Sequence, residues 1–143
     1  MKYLQIQKDY ISKLLKRKQG NKYEFVVMKS EDGIFIGDGY ALYNIPEGEL
    51  LLNLEGIEER SLDKLIGNYN DQAVHETDNL HKLDKGFARI LKNEKFEIAA
   101  DNKYFKYFNQ EMQYVTSGEL SPLKCYENEK LVAVIMPIRR EIR

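Results

Sequence analysis

A chain of 143 residues with 22 Lys and Arg against 23 Asp and Glu has a net charge near −1, which argues against a uniformly basic nucleic-acid binder. At this length one domain can bury roughly 68–70% of the surface its unfolded form exposes, enough for a core without disulfides. One cysteine excludes an internal disulfide and suits a reducing, cytoplasmic setting, and no run approaches the ~20 apolar residues of a membrane helix.

Lys2 to Ile6 alternates and predicts a short strand. From Asp9 to about Lys18, Tyr10, Ile11, Leu14 and Leu15 fall at helical spacing, with Asp9 able to cap the start and Gly20-Asn21 the end. The other face of this helix carries Lys8, Lys13, Lys16, Arg17 and Lys18. Such a face is either ordinary solvated surface or a surface that contacts a phosphate backbone.

Tyr23 to Met28 and Gly33 to Ile36 predict strands joined by the polar turn Lys29-Ser30-Glu31-Asp32. Asp38-Gly39 is a further turn signal, Ile45-Pro46-Glu47-Gly48 a break, and Glu49 to Leu54 another expected strand. Ser61 to Ile66 predicts a short helix. Asn68 to Asp84 is polar and rich in Asn and Asp, so residues 56–95 are expected to form an irregular insertion. His75, Glu76, Asp78, His81 and Asp84 raise the question of a metal. The histidines are six apart, off a common helical face, and no second pair supports them, so no metal or other cofactor is implied.

Phe96 to Ala100 predicts a strand, and Asp101-Asn102 can cap a helix bearing Tyr104, Phe105 and Phe108, with Lys103 and Lys106 elsewhere on it. Met112 to Thr116 alternates as a strand. The chain then closes with a hairpin: Ser121 to Tyr126, the polar loop Glu127 to Lys130, and Leu131 to Met136 before Pro137. Six consecutive apolar residues rich in valine and isoleucine predict a strand buried on both faces. Cys125 is expected as a small buried strand residue rather than a nucleophile.

Strand, helix, strand, strand, strand thus occurs twice, over Lys2 to Leu54 and Phe96 to Met136. The closing hairpin S-P-L-K-C-Y with V-I-M-P-I-R, the segment I-F-I-G-D-G-Y-A-L at 34–42, and F-E-I-A-A-D-N-K-Y-F-K-Y-F at 96–108 resemble the bacterial beta sliding clamp family. That resemblance implies an α+β fold of duplicated β-α-β-β-β halves, with two antiparallel sheets and two helices together on one side. It implies a single clamp-like domain over 1–143, where a bacterial clamp subunit has three.

The function it implies is non-catalytic: a replication-associated accessory protein that tethers to duplex DNA weakly and without reading sequence. The backbone-contacting cations would be Lys8, Lys13, Lys16, Arg17, Lys103 and Lys106. It also implies a groove for peptide motifs of replication proteins, with Gly39, Tyr40, Ala41 and Leu42 on one wall and Pro122, Val134 and Met136 on the other. Two copies meeting head to tail would assemble that groove, and the repeated contact would close a ring. The alternative is a monomeric interaction module of the same fold that never encircles DNA. In that case Leu42, Val134 and Met136 are open to the simpler reading of core residues. No phosphate-binding loop, zinc-protease motif or nucleophile elbow points to an enzyme.

Overall fold

The computed structural model describes residues 1–15, 25–67 and 70–139. The fold is α+β, with ten strands in one mixed sheet of order β4-β1-β2-β3-β10-β9-β8-β5-β6-β7. The strands are β1 Val26–Ser30, β2 Gly33–Gly37, β3 Ala41–Ile45, β4 Glu59–Ser61, β5 Gln72–Lys82, β6 Phe87–Lys92, β7 Glu97–Asp101, β8 Gln113–Thr116, β9 Leu123–Glu127 and β10 Lys130–Ile135. Helices α1 Tyr3–Leu15 and α2 Asp63–Ile66 pack on it. Among the described residues no helix is long and apolar enough to cross a membrane.

Two meanders, β1-β2-β3 and β8-β9-β10, meet at an antiparallel seam in which Val134 pairs with Leu42 and Ile135 with Ala41. Read outward from that seam, each meander runs back along the chain, β3-β2-β1 on one side and β10-β9-β8 on the other, with β4 added in parallel beyond β1 and β5, β6 and β7 beyond β8. The expected division into two sheets is therefore replaced by one continuous sheet, because the last strand of each meander finds its partner in the other. Beyond β10, Met136 N–H donates to Tyr40 O at 2.7 Å and Ile138 N–H to Ala99 O at 2.8 Å. The sheet curls until β7 lies beside the continuation of β10.

Alternation in the strands divides the core. Val27, Ile36, Tyr43, Ala133 and Ile135 face α1 in the larger cluster, and Val26, Phe35, Leu42 and Val134 face Leu62 and α2 in the smaller. β10 is buried on both faces, as its apolar run requires. A register shift between Leu131 and Ala133 lets Val132 and Ala133 both join the α1 side. The β9–β10 turn is tighter than expected: Asn128 and Glu129 alone connect the strands, both with positive φ.

Several expectations are corrected. Lys2 to Ile6 is not a strand, since α1 begins at Tyr3; Ile6, Gln7 and Tyr10 form its buried stripe, a helical spacing that five alternating residues could not reveal. The second helix is a 3-10 turn, Asn102–Phe105, capped by Asp101, whose side chain accepts from Lys103 N–H at 3.0 Å. Its aromatic residues lose rotamer freedom in a regular helix. Glu49 to Leu54 is a loop rather than a strand. Buried Gln7 supplies the pairing a strand would have made, donating to Glu49 O at 2.9 Å and accepting from Leu51 N–H at 2.7 Å. Residues 56–95 hold β4, α2, β5 and β6 instead of an irregular insertion. In β5 only Val74 is buried, so its polar sequence carries no core-facing signal.

Candidate functional site: a lysine, tyrosine and aspartate face

The D-G segment between β2 and β3 is built by Asp38, which is buried. Its Oδ1 accepts from Tyr40 N–H at 2.8 Å and Ala41 N–H at 2.9 Å, while Oδ2 meets Lys13 Nζ of α1 at 3.3 Å. The glycine this turn requires is Gly37: a Cβ there would lie 1.8 Å from Ala41 O, against backbone that cannot yield. Nothing in the spacing of D-G-Y-A-L identifies it.

α1 and the segment after the 3-10 turn are joined at Asp9. Its carboxylate accepts from Tyr107 at 2.6 Å and from Gln5 at 2.7 Å, with Lys106 Nζ at 3.5 Å. Burial opposes ionisation of Asp9, but the hydrogen bonds from Tyr107 and Gln5 and the Lys106 cation outweigh it and hold the carboxyl below its usual range. Beneath lies fully buried Tyr43, which donates to Tyr104 O at 2.6 Å and packs its ring edge-on to Tyr107, with centroids 4.9 Å apart. Tyr10 stands 6.0 Å from Tyr43. Burial pushes the hydroxyls of Tyr10 and Tyr43 well above the ordinary tyrosine value, so both stay neutral and serve as packing and hydrogen-bonding groups.

Three lysines repeat one arrangement. Lys13 lies over the Tyr10 ring at 4.6 Å, Lys103 over Tyr104 at 5.1 Å and Lys106 over Tyr107 at 5.0 Å. Each also faces a carboxylate: Asp38 for Lys13, Asp101 for Lys103 at 3.8 Å, and Asp9 for Lys106. Their side chains are 47%, 62% and 57% exposed, so the ammonium groups are presented to solvent on aromatic pedestals.

The six cations expected to act together do not all meet. Lys13, Lys103 and Lys106 are linked through one aromatic cluster: Lys13 lies over Tyr10 and Lys106 over Tyr107, both rings packed on Tyr43, and Lys103 lies over Tyr104, whose carbonyl accepts from Tyr43. Lys8 is exposed but sits roughly 140° around α1 from Lys13 at 100° per residue. Lys16 and Arg17 lie outside the described residues, as does the Gly20-Asn21 cap.

The two groove walls stand side by side within one copy, because β3 and β10 are hydrogen-bonded neighbours. Ala41, Leu42 and Val134 are 1%, 2% and 1% exposed and belong to the core. Pro122 and Met136 are half-buried, Gly39 is exposed, and Tyr40 is 65% exposed on backbone fixed at both ends by Asp38 and Met136.

His75 and His81 are exposed on β5, and among the described residues no group of three His, Cys, Asp or Glu could hold a metal ion. Cys125 is fully buried, and burial pushes its thiol far above the ordinary range, so it is inert. Two polar networks carried no signal in the sequence. Arg89 grips Asn102 Oδ1 with two nitrogens, pairs with Glu76 and stacks 4.3 Å over Phe105, fixing the 3-10 turn to β6. Buried Lys124 binds Asp71 and donates to Ile66 O at 2.7 Å, strapping the end of α2 to the sheet.

Comparison of the chain with protein-family models, with curated proteins and with solved structures finds no match.

Proposed function

We propose that this is a non-catalytic binding protein of sliding-clamp type, and that the face formed by Lys13, Lys103 and Lys106 rests against the phosphate backbone of duplex DNA. The observation that carries the reading is that these cations, from α1, the 3-10 turn and the segment that follows it, stand on one connected tyrosine cluster, despite a net charge near −1 for the whole chain. The ammonium groups are 47%, 62% and 57% exposed while Asp38, Asp101 and Asp9 are only 9%, 19% and 24% exposed, so a phosphate adds to the solvent side of each lysine and the carboxylates keep their pairs. Tyrosine rings beneath the ammonium groups reduce the entropy lost on contact. The reading invokes phosphate contacts alone, which carry no sequence information, so contact is weak and indifferent to sequence.

The clamp resemblance is supported by element order alone: helix, strand, strand, strand leads to the seam from the first half, and strand, 3-10 turn, strand, strand, strand from the second. On this reading several copies, joined head to tail, surround the duplex.

Fluorescence anisotropy on duplexes of unrelated sequence tests the proposal. The slope of log K against log salt should be roughly −3 for three phosphate contacts. Replacing Lys13, Lys103 and Lys106 together with glutamate should abolish binding, and binding that survives the triple change overturns the assignment.

A second reading, an interaction module that never encircles DNA, is favoured by one observation: each of the three lysines already has a carboxylate. It predicts no duplex binding even at low salt, together with a monomeric mass by sedimentation.

A further inference from the structure

The side of α1 turned away from the sheet carries a second surface. Leu4, Lys8, Ile11 and Leu15 follow spacings of four, three and four, the pattern of a coiled-coil seam, and fall within about 60° of one another around the helix. Leu4 is 66% exposed and Leu15 79%, with Ile11 half-buried between them. Beside this stripe, Leu51 is 70% exposed on the loop that Gln7 fixes to α1 through two hydrogen bonds. The stripe is distinct from the lysine, tyrosine and aspartate face, which lies on the opposite flank of the helix.

Charge decides what fits. Lys8 stands inside the apolar seam and carries no ion pair or hydrogen bond among the described residues. A seam cation selects the partner that offers a carboxylate at the facing position. The one acidic residue of α1, Asp9, is already held by Tyr107, Gln5 and Lys106 and leaves Lys8 uncompensated. Carboxylates Glu47 and Glu49 are exposed on the loop that carries Leu51, across the stripe from Lys8, so the acidic edge of a partner must lie on the Lys8 side. A second copy of α1 fits poorly. In an antiparallel pair centred on the stripe it would bring Lys8 close to Lys8 of the other copy.

We infer that the outer stripe of α1 is a docking surface for a helix of another protein that is leucine-faced and acidic along one edge. The partner buries Leu4, Ile11, Leu15 and Leu51, and sets its register by a glutamate or aspartate against Lys8.

The test uses two fluorescein-labelled designed helices with leucines at the a and d positions, identical except that one carries glutamates and the other lysines in the seam and along one edge. By anisotropy the glutamate helix should bind the full chain at least about tenfold more tightly than the lysine helix. Leu15→Ser and Leu4→Ser, at exposed positions that leave the core intact, should each weaken it. Lys8→Glu should reverse the preference between the two helices. Failure of both helices to bind, equal binding of the two, or binding untouched by Leu15→Ser overturns the inference. So does dimerisation of the wild type that Leu15→Ser abolishes, which gives the stripe to a second copy. Retention on phosphatidylglycerol vesicles with the same dependence on Leu15 gives it to a bilayer instead. None of these outcomes bears on the duplex contact, which uses Lys13, Lys103 and Lys106.

Discussion

Tyr107 donates its hydroxyl to Asp9 across 98 residues of sequence, at 2.6 Å, and this bond fixes α1 to the segment that follows the 3-10 turn. A hydrogen bond to a charged acceptor contributes about 1.5–3 kcal/mol, so Tyr107→Phe should destabilise the fold by an amount at or below that range. The carboxyl of Asp9 is held below its ordinary value, so it binds fewer protons in the folded state than in the unfolded one. Its contribution is complete above the unfolded-state pKa and is lost as pH falls through the depressed folded-state value. Chemical denaturation of wild type and Asp9→Asn, followed from neutral into the acid range, checks this. The gap between the two should close on the acid side, and a constant gap would mean that Asp9 acts through shape rather than charge.

Gly37 predicts a larger and pH-independent effect. Its missing Cβ is what allows the backbone of β3 to approach, since that atom would fall 1.8 Å from Ala41 O and 2.9 Å from Leu42 Cα. Gly37→Ala should therefore cost about 3 kcal/mol, at the upper end for overpacking, because the obstructing atoms are main chain. Gly48→Ala is the control, with no atom within 4 Å of its added Cβ, and should leave the denaturation midpoint nearly unchanged.

A stabilising change is available at the β9–β10 turn. Asn128 and Glu129 hold φ of 50° and 65°, the pairing of a type I′ hairpin, which favours Asn-Gly. Asparagine tolerates this region and glutamate does not. Glu129→Gly should raise stability by up to about 1 kcal/mol, the relief of left-handed strain exceeding the added flexibility of the unfolded chain. A fall in the thermal midpoint would show that the Glu129 side chain contributes more than its backbone costs.

How far the sequence reveals this molecule depends on which atoms hold each part together. Leu131 to Ile135 is legible because burial on both faces demands an unbroken apolar run. β5 is illegible because ten of its eleven residues are not buried, and main-chain pairing with β6 and β8 leaves no trace in side-chain pattern. Gln7 shows the same limit from the other side. A polar residue in an apolar stripe is indistinguishable from solvent-facing glutamine until the loop it grips, some 42 residues on, is in place. Lys13, Lys103 and Lys106 can be named as cations from the sequence, but not as partners of Asp38, Asp101 and Asp9, because only the fold sets those pairs.

Lys124 poses a final question of the same kind. Its side chain is 6% exposed on the face of the sheet that α2 covers, while its partner Asp71 is 26% exposed. Removing one member of a buried pair leaves the other without compensation, so Lys124→Met should destabilise through two separate losses: the ion pair, and the bond to Ile66 O that ends α2. Asp71 reaches solvent and can rehydrate, which keeps its share of the penalty near the lower end of about 1–3 kcal/mol. Asp71→Asn alone removes the counter-charge and leaves an enclosed ammonium with only neutral oxygens, the new amide and Ile66 O, and should cost more than Lys124→Met. The double variant Lys124→Met, Asp71→Asn should recover most of the loss, since a methionine of similar length fills the buried position opposite Val134 of β10 without asking for a counter-charge. A double-mutant cycle by urea denaturation measures these terms. Strict additivity of the two single changes would show that Lys124 and Asp71 are neighbours without being coupled.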